Sequence, residues 1–132
     1  MSAYPVPPKT TDLCDACEAA LACALPWRGF GLRRAFAGDI VTMRVHEDIG
    51  LMRETVSRPG EGRVLVIDGG VSIARALFGD VTAGVAVRNG WAGLVIHGAI
   101  RDAIEIDAMD IGVKALVSAR FAYPARIHYS LR

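Results

Sequence analysis

Two uninterrupted apolar runs limit what this chain can fold into. Residues 63–67 read RVLVI and residues 92–96 read AGLVI, each bounded by glycine-containing turns. Continuous Val, Ile and Leu runs of this length suit strands buried on both faces, which is the habit of parallel sheets. Parallel neighbours need a crossover, usually a helix. Residues 81–89, VTAGVAVRN, supply one and stop at Asn89-Gly90. Residues 72–78 alternate, with Ile73, Arg75 and Leu77 on one face and Ala74, Ala76 and Phe78 on the other, which predicts a further strand. The fold class is therefore α/β, with βαβ units and a mixed sheet at its centre.

In open α/β sheets, ligands bind in loops beyond the strand C-termini. Two short pairs sit at such places, Gly79-Asp80 and Arg101-Asp102, with twenty residues between Asp80 and Arg101. Gly79 ends the alternating strand, and Asp80 is expected to cap the following helix. The free N–H groups from about Val81 and Thr82 would then be open to a carboxylate. Arg101 offers a planar fork for a carboxylate or an enolate oxygen. Asp102 offers a hard oxygen for Mg²⁺ or Mn²⁺. On spacing alone the plainer reading leads: Asp80 is a helix cap and Arg101-Asp102 a charged turn.

Residues 1–9 are proline-rich and are expected to form a flexible arm. A helix is predicted over 12–24, ending before Pro26. It holds Cys14 and Cys17, with Cys23 at its end. No second cysteine pair completes a zinc site, so the thiols are expected to be buried and structural. Residues 27–36 are expected to form a solvated loop with a short strand, although Arg28, Arg33 and Arg34 would also suit a subunit contact. A strand is predicted over 40–45 and a short helix over 51–56. His46, Glu47 and Asp48 are contiguous, so they point to opposite faces and suit a metal poorly. Asp68-Gly69-Gly70 is turn chemistry. Residues 103–109 are expected to be helical, with Glu105 and Asp107 on the surface, and 113–117 to be a strand. His46, His97 and His128 lack ligand spacing, and His97 is expected to be packed or partly exposed.

Composition narrows the function classes. The 132 residues fit one domain, and 15 basic against 14 acidic residues give a net charge of +1. That balance lacks the electrostatic footprint of nucleic-acid binding. No apolar run reaches membrane-spanning length, and the N-terminus does not read as a signal peptide, so cytoplasmic residence is expected. Lys9 and Lys114 are unsuitably placed for a Schiff base, which favours a metal route over an imine route.

The segments GEGRVLVIDGG, ALFGD, VRNGWAGLVIHGAIRD and DIGVKAL resemble the RraA-like family, as do TTDLCDA and FGLRRAFAGDIVTMRVHED. That family includes the regulators of ribonuclease E activity and the 4-hydroxy-4-methyl-2-oxoglutarate aldolases. The resemblance covers residues 10–116. The aldolase branch is marked by an Asp, twenty residues, then Arg-Asp, matched here by Asp80, Arg101 and Asp102. The resemblance implies a single domain with a layered β/β/α swivelling fold, similar to phosphohistidine domains, including a second small sheet. It implies a homotrimer with sites between subunits. It also implies a divalent cation on Asp102, catalytic roles for Arg101 and Asp80, and substrate contacts from Gly79, Asp80, Val81, Thr82 and Arg101. The implied activity is cleavage of 4-hydroxy-4-methyl-2-oxoglutarate, a small 2-oxo acid, to pyruvate, with oxaloacetate decarboxylation as a side activity. The alternative is a non-catalytic regulator that binds and inhibits a ribonuclease E-type endonuclease. Residues 117–132 depart from the family pattern and are expected to form a shortened or divergent C-terminal tail.

Overall fold

The computed structural model describes residues 6–124. The elements in chain order are α1 (Thr10–Ala16), β1 (Arg28–Phe30), β2 (Ile40–Arg44), α2 (Gly50–Val56), β3 (Val64–Asp68), β4 (Ala76–Phe78), α3 (Asp80–Arg88), β5 (Gly93–Ile100), α4 (Ala103–Asp107) and β6 (Gly112–Ser118). All six strands belong to one sheet in the order β1-β6-β5-β3-β2, with β4 also paired to β5. Only β1 runs antiparallel to its neighbour; the other pairings are parallel. This is the expected mixed α/β architecture. The second small sheet is not formed among the described residues.

The two apolar runs lie side by side, with Leu65 opposite Leu94 and Ile67 opposite Ile96. All four are within 1% of complete burial, as expected for strands covered on both faces. Around them pack Met52 and Val56 of α2, Ala83 and Ala86 of α3, Ile106 of α4 and Trp91. The Trp91 indole N–H donates to the carbonyls of Val56 and Arg58, so its polar atom is satisfied inside the core. Gly60 permits this packing. A Cβ there would lie 2.6 Å from the Trp91 backbone nitrogen.

The fourth strand is shorter than its alternation predicts. The expected strand over 72–78 is reduced to Ala76–Phe78. Pairing geometry explains the loss. β3 occupies the edge of β5 as far as Asp68 opposite His97. The chain then turns away through Gly70 and Val71, both at positive φ. β4 takes over the same edge only beyond His97, pairing Ala76 with Ala99 and Phe78 with Ile100. β5 is correspondingly longer than the apolar run 92–96, because its last residues serve β4.

The N-terminal helix also departs from expectation. It ends at Ala16 instead of residue 24 and buries no residue. Leu13 and Leu21, both within the expected helix, are 48% and 92% exposed. A short helix holds little structure without a packed face. Cys14, Cys17 and Cys23 are therefore exposed free thiols and not core groups. At the other end, Val117 and Ser118 complete β6. Residues 121–124 then run beside β4, where Ala76 donates to the Phe121 carbonyl and Tyr123 to that of Ala76. Tyr123 is buried in the core, and its hydroxyl bonds Ser72 Oγ. Residues 1–5 of the expected arm, residues 125–132 of the expected tail and His128 lie outside the described residues.

Candidate active site

The pairing of β4 with β5 brings together the two loops singled out by the sequence. Phe78 and Ile100 are partners, and the Arg101 N–H donates to the Phe78 carbonyl at 2.9 Å. Gly79 therefore lies directly against Arg101 and Asp102. A Cβ on Gly79 would meet Asp102 Oδ2 at 2.8 Å and Arg101 Nε at 3.3 Å. Close approach accounts for glycine here, since its backbone is extended and open to any residue.

Helix α3 starts differently from expectation. Gly79, not Asp80, is the N-cap, and Asp80 is the first helical residue. The Asp80 N–H donates to Asp102 Oδ2 at 3.1 Å, so Asp102 satisfies the helix start from the neighbouring loop. Asp80 turns its own Oδ1 onto the Val81 N–H at 2.7 Å. Asp102 holds this position in a left-handed conformation, φ 58 and ψ 41. Asp tolerates that region better than most residues, and such conformations gather at functional sites. Arg101 Nε lies 3.5 Å from the same Asp102 oxygen.

A cleft of about 110 Å³ opens over this cluster. Gly79, Asp80, Val81, Thr82 and Arg101, the five expected substrate contacts, all line it. Leu77 and Phe78 add apolar surface. Helix α2 provides a second wall through Ile49, which precedes it, and Arg53. Ala122 closes another side, from the C-terminal segment expected to depart from the family pattern. The Ile49 N–H donates to the Pro124 carbonyl, which ties that segment to the entry of α2. The volume suits a small organic acid and falls well below the ~300–1,000 Å³ usual for larger ligands.

Asp102 is 31% exposed and Arg101 42%. Asp102 Oδ1 accepts no hydrogen bond among the described residues, which leaves one carboxylate oxygen for a cation. No group of three His, Cys, Asp or Glu capable of holding a metal occurs among those residues. A cation here would therefore have one carboxylate and mostly water. That donor set fits Mg²⁺ or Mn²⁺, which keep several waters, and does not fit a closed cage.

The other candidates serve the fold. Asp48 Oδ1 accepts the Gly50 N–H at the start of α2, and Glu47 accepts from Ser72. His97 is 28% exposed and faces Trp27 and Asp68. Asp68 accepts the Gly70 N–H in its turn. That bond chiefly holds its carboxyl below the usual range, against a smaller opposing effect of burial, and Arg44 and His97 add to the lowering. Glu105 and Asp107 are both exposed, as expected, and Asp107 also accepts the Gly31 N–H. Arg33 is not a solvated loop residue. It grips Asp110 with two nitrogens at 2.9 and 3.1 Å and donates to the Ala92 carbonyl. Arg53 and Ala122 were invisible to sequence reasoning, because neither lies near a motif and only the fold carries them to the cleft.

A family model described as Aldolase/RraA, RraA-like, matches residues 10–128. The match extends through most of the segment expected to diverge. A protein of Ectopseudomonas mendocina, provisionally named 4-hydroxy-4-methyl-2-oxoglutarate aldolase, is 50% identical over 110 residues, covering 83% of this chain and 68% of its own. One of Cupriavidus taiwanensis with the same name is 50% identical over 117 residues, covering 84% and 71%. Among solved structures, the RNA-processing inhibitor RraA from Thermus thermophilis aligns with a TM-score of 0.88 and 38% identity, covering 92% of this chain and 74% of that one. Among the described residues, no helix is long and apolar enough to cross a membrane.

Proposed function

The chain belongs to the RraA-like family, and from that premise we propose that it is a divalent-metal-dependent lyase of 2-oxo acids. Its substrate is 4-hydroxy-4-methyl-2-oxoglutarate, cleaved to two pyruvates, with oxaloacetate decarboxylation as a side activity. The observation that carries this reading is the joining of Gly79, Asp80, Val81, Thr82 and Arg101 in one small cleft beside Asp102. The names of the relatives in Ectopseudomonas and Cupriavidus support the substrate.

The residues fit the chemistry in order. The start of α3 binds the carboxylate next to the ketone through its helix dipole and the Thr82 N–H, together with Arg101, since the Asp80 and Val81 N–H groups are already taken by Asp102 and Asp80. Cleavage breaks the bond between C3 and C4, as the C4 hydroxyl loses its proton and the electron pair moves towards the ketone oxygen. Arg101 stabilises the charge that develops on that oxygen. Asp80 orders a water that accepts the hydroxyl proton and returns one to C3. Asp102 would hold the cation, which would supply Lewis-acid polarisation of the substrate. A homotrimer, in which a neighbouring subunit closes the cleft, and a cytoplasmic location are part of the proposal.

A second reading is a non-catalytic regulator that binds a ribonuclease E-type endonuclease. The likeness to the Thermus RNA-processing inhibitor supports it. The complete Asp80, Arg101 and Asp102 set favours the lyase. The deciding assay follows pyruvate release from the hydroxy-oxo acid and from oxaloacetate. Release that stops with a chelator and returns with Mg²⁺ or Mn²⁺ is expected. No release from either substrate in the presence of metal would overturn the lyase reading.

A further inference from the structure

We propose that Arg53 sets the specificity of this cleft by binding the second, remote carboxylate of the substrate. The site then selects 2-oxo acids with two carboxylates over those with one. This inference rests on the reading of the cleft as a 2-oxo acid site and adds a rule of selection to it.

Arg53 reaches the cleft from α2, a different element from those that bear Arg101 and the start of α3. Other arginines of the fold are committed. Arg58 pairs with Glu54 at 2.7 Å and Arg44 with Asp68 at 3.2 Å. Arg63 donates to the Gly60 and Pro59 carbonyls and lies over the Trp91 ring. The Arg53 side chain has no hydrogen bond, ion pair or ring contact among the described residues. The cleft lining thus carries two guanidiniums and one carboxylate, Asp80, whose Oδ1 already accepts the Val81 N–H. One anionic end of a ligand satisfies Arg101 and the helix start, and Arg53 remains for a second. Ile49, Leu77 and Phe78 give apolar surface for the carbon chain between the ends. A planar fork on a long stem suits a terminal carboxylate bound at a distance from the reacting atoms.

The test is calorimetric titration of the Mn²⁺-loaded full chain with two ligands that resist aldol cleavage. These are 2-oxoglutarate, with two carboxylates, and 2-oxobutyrate, with one. The wild type is expected to bind 2-oxoglutarate about 10- to 100-fold more tightly, the range for hydrogen bonds to charged groups. Arg53→Ala should erase that preference and leave 2-oxobutyrate affinity unchanged, and Arg53→Lys should keep part of it. Arg53→Gln makes the same comparison should the alanine variant fail to fold. Equal binding of the two ligands by the wild type overturns the proposal, as does binding of neither. So does an alanine variant that keeps the preference, or one that loses both ligands together. An Arg53-dependent preference without any pyruvate release leaves this inference standing and removes the lyase reading. Pyruvate release without the preference does the reverse.

Discussion

The arginines at the N-terminal ends of the parallel strands and the two that line the cleft at the C-terminal ends are used in opposite ways. At the N-terminal ends, Arg33 closes on Asp110 and the Ala92 carbonyl, and its side chain is only 8% exposed. Arg63 is fixed by two carbonyls and the face of Trp91. In the cleft at the C-terminal ends, the Arg101 side chain is 42% exposed and, among the described residues, pairs with Asp102 at 3.5 Å, and the Arg53 side chain has no partner among those residues. Paired cations lock loops in place. Cations left open beside a helix N-terminus are available to an anion. The division matches the rule that ligands of open α/β sheets gather at the carboxyl ends of the strands.

The comparison can be broken from either end. The largest effect is expected at Arg101. Arg101→Lys keeps the charge but loses the fork, and should lower turnover of oxaloacetate by ~10²–10³, the usual loss for one preorganised donor. Manganese binding should change much less, since Arg101 is assigned to the substrate oxygen. Equal losses in both measurements would merge roles that are separate here.

Gly79→Ala comes next. Its Cβ would lie 2.8 Å from Asp102 Oδ2, so the carboxylate must move. Turnover should fall by ~10²-fold, in line with the cost of small displacements in a reacting geometry. Circular dichroism should stay that of the wild type. Wild-type turnover would show that the contact between Gly79 and Asp102 does not matter.

Arg33→Ala tests the opposite end. It leaves Asp110 and the Ala92 carbonyl without this donor and should cost about 1–3 kcal/mol in stability. Denaturant unfolding measures that cost, and turnover per folded molecule should be unchanged. A loss of turnover without a loss of stability would contradict the division between the two ends.

The smallest effect concerns Asp68. Its carboxyl is held below the usual range when folded, first by the Gly70 N–H. The stability it adds is present above the unfolded carboxylate pKa and is lost as pH falls through the lower folded value. Asp68→Asn should therefore lower the thermal midpoint slightly at neutral pH, where the contribution is present, and leave it unchanged at pH below the folded value, so that the acid limb becomes slightly flatter. An unchanged acid limb would remove Asp68 from the account.

The centre of the fold was legible because burial on both faces writes itself into composition. RVLVI and AGLVI can hardly be anything but inner strands, and they sit at β3 and β5. The cluster of Gly79, Asp80, Arg101 and Asp102 was legible because a βαβ unit returns the chain to the same sheet end. Other features depend on partners far away in sequence. β4 shortens because β3 holds the β5 edge up to His97. The helix expected over 12–24 was to bury its cysteines, yet Leu21 and all three thiols are exposed, since no described element covers them. Arg33 reads as one more basic loop residue until Asp110 is folded against it. Asp80 looked like the cap of α3, but Asp102 accepts its N–H from the next loop. Arg53 carries no local signature, because an exposed arginine on a short helix is ordinary.

The central claim is that the open end of the sheet holds a divalent cation on Asp102 and uses it on a 2-oxo acid. Calorimetric titration of Mn²⁺ into wild type and Asp102→Asn tests this most directly, with oxaloacetate turnover followed on the same samples. Asn keeps an oxygen that can accept the Asp80 N–H, so the helix start should survive while the charge is lost. The wild type should bind Mn²⁺ and release pyruvate, and Asp102→Asn should lose both while remaining folded. An Asp102→Asn protein that binds Mn²⁺ and turns over oxaloacetate like the wild type would contradict the account.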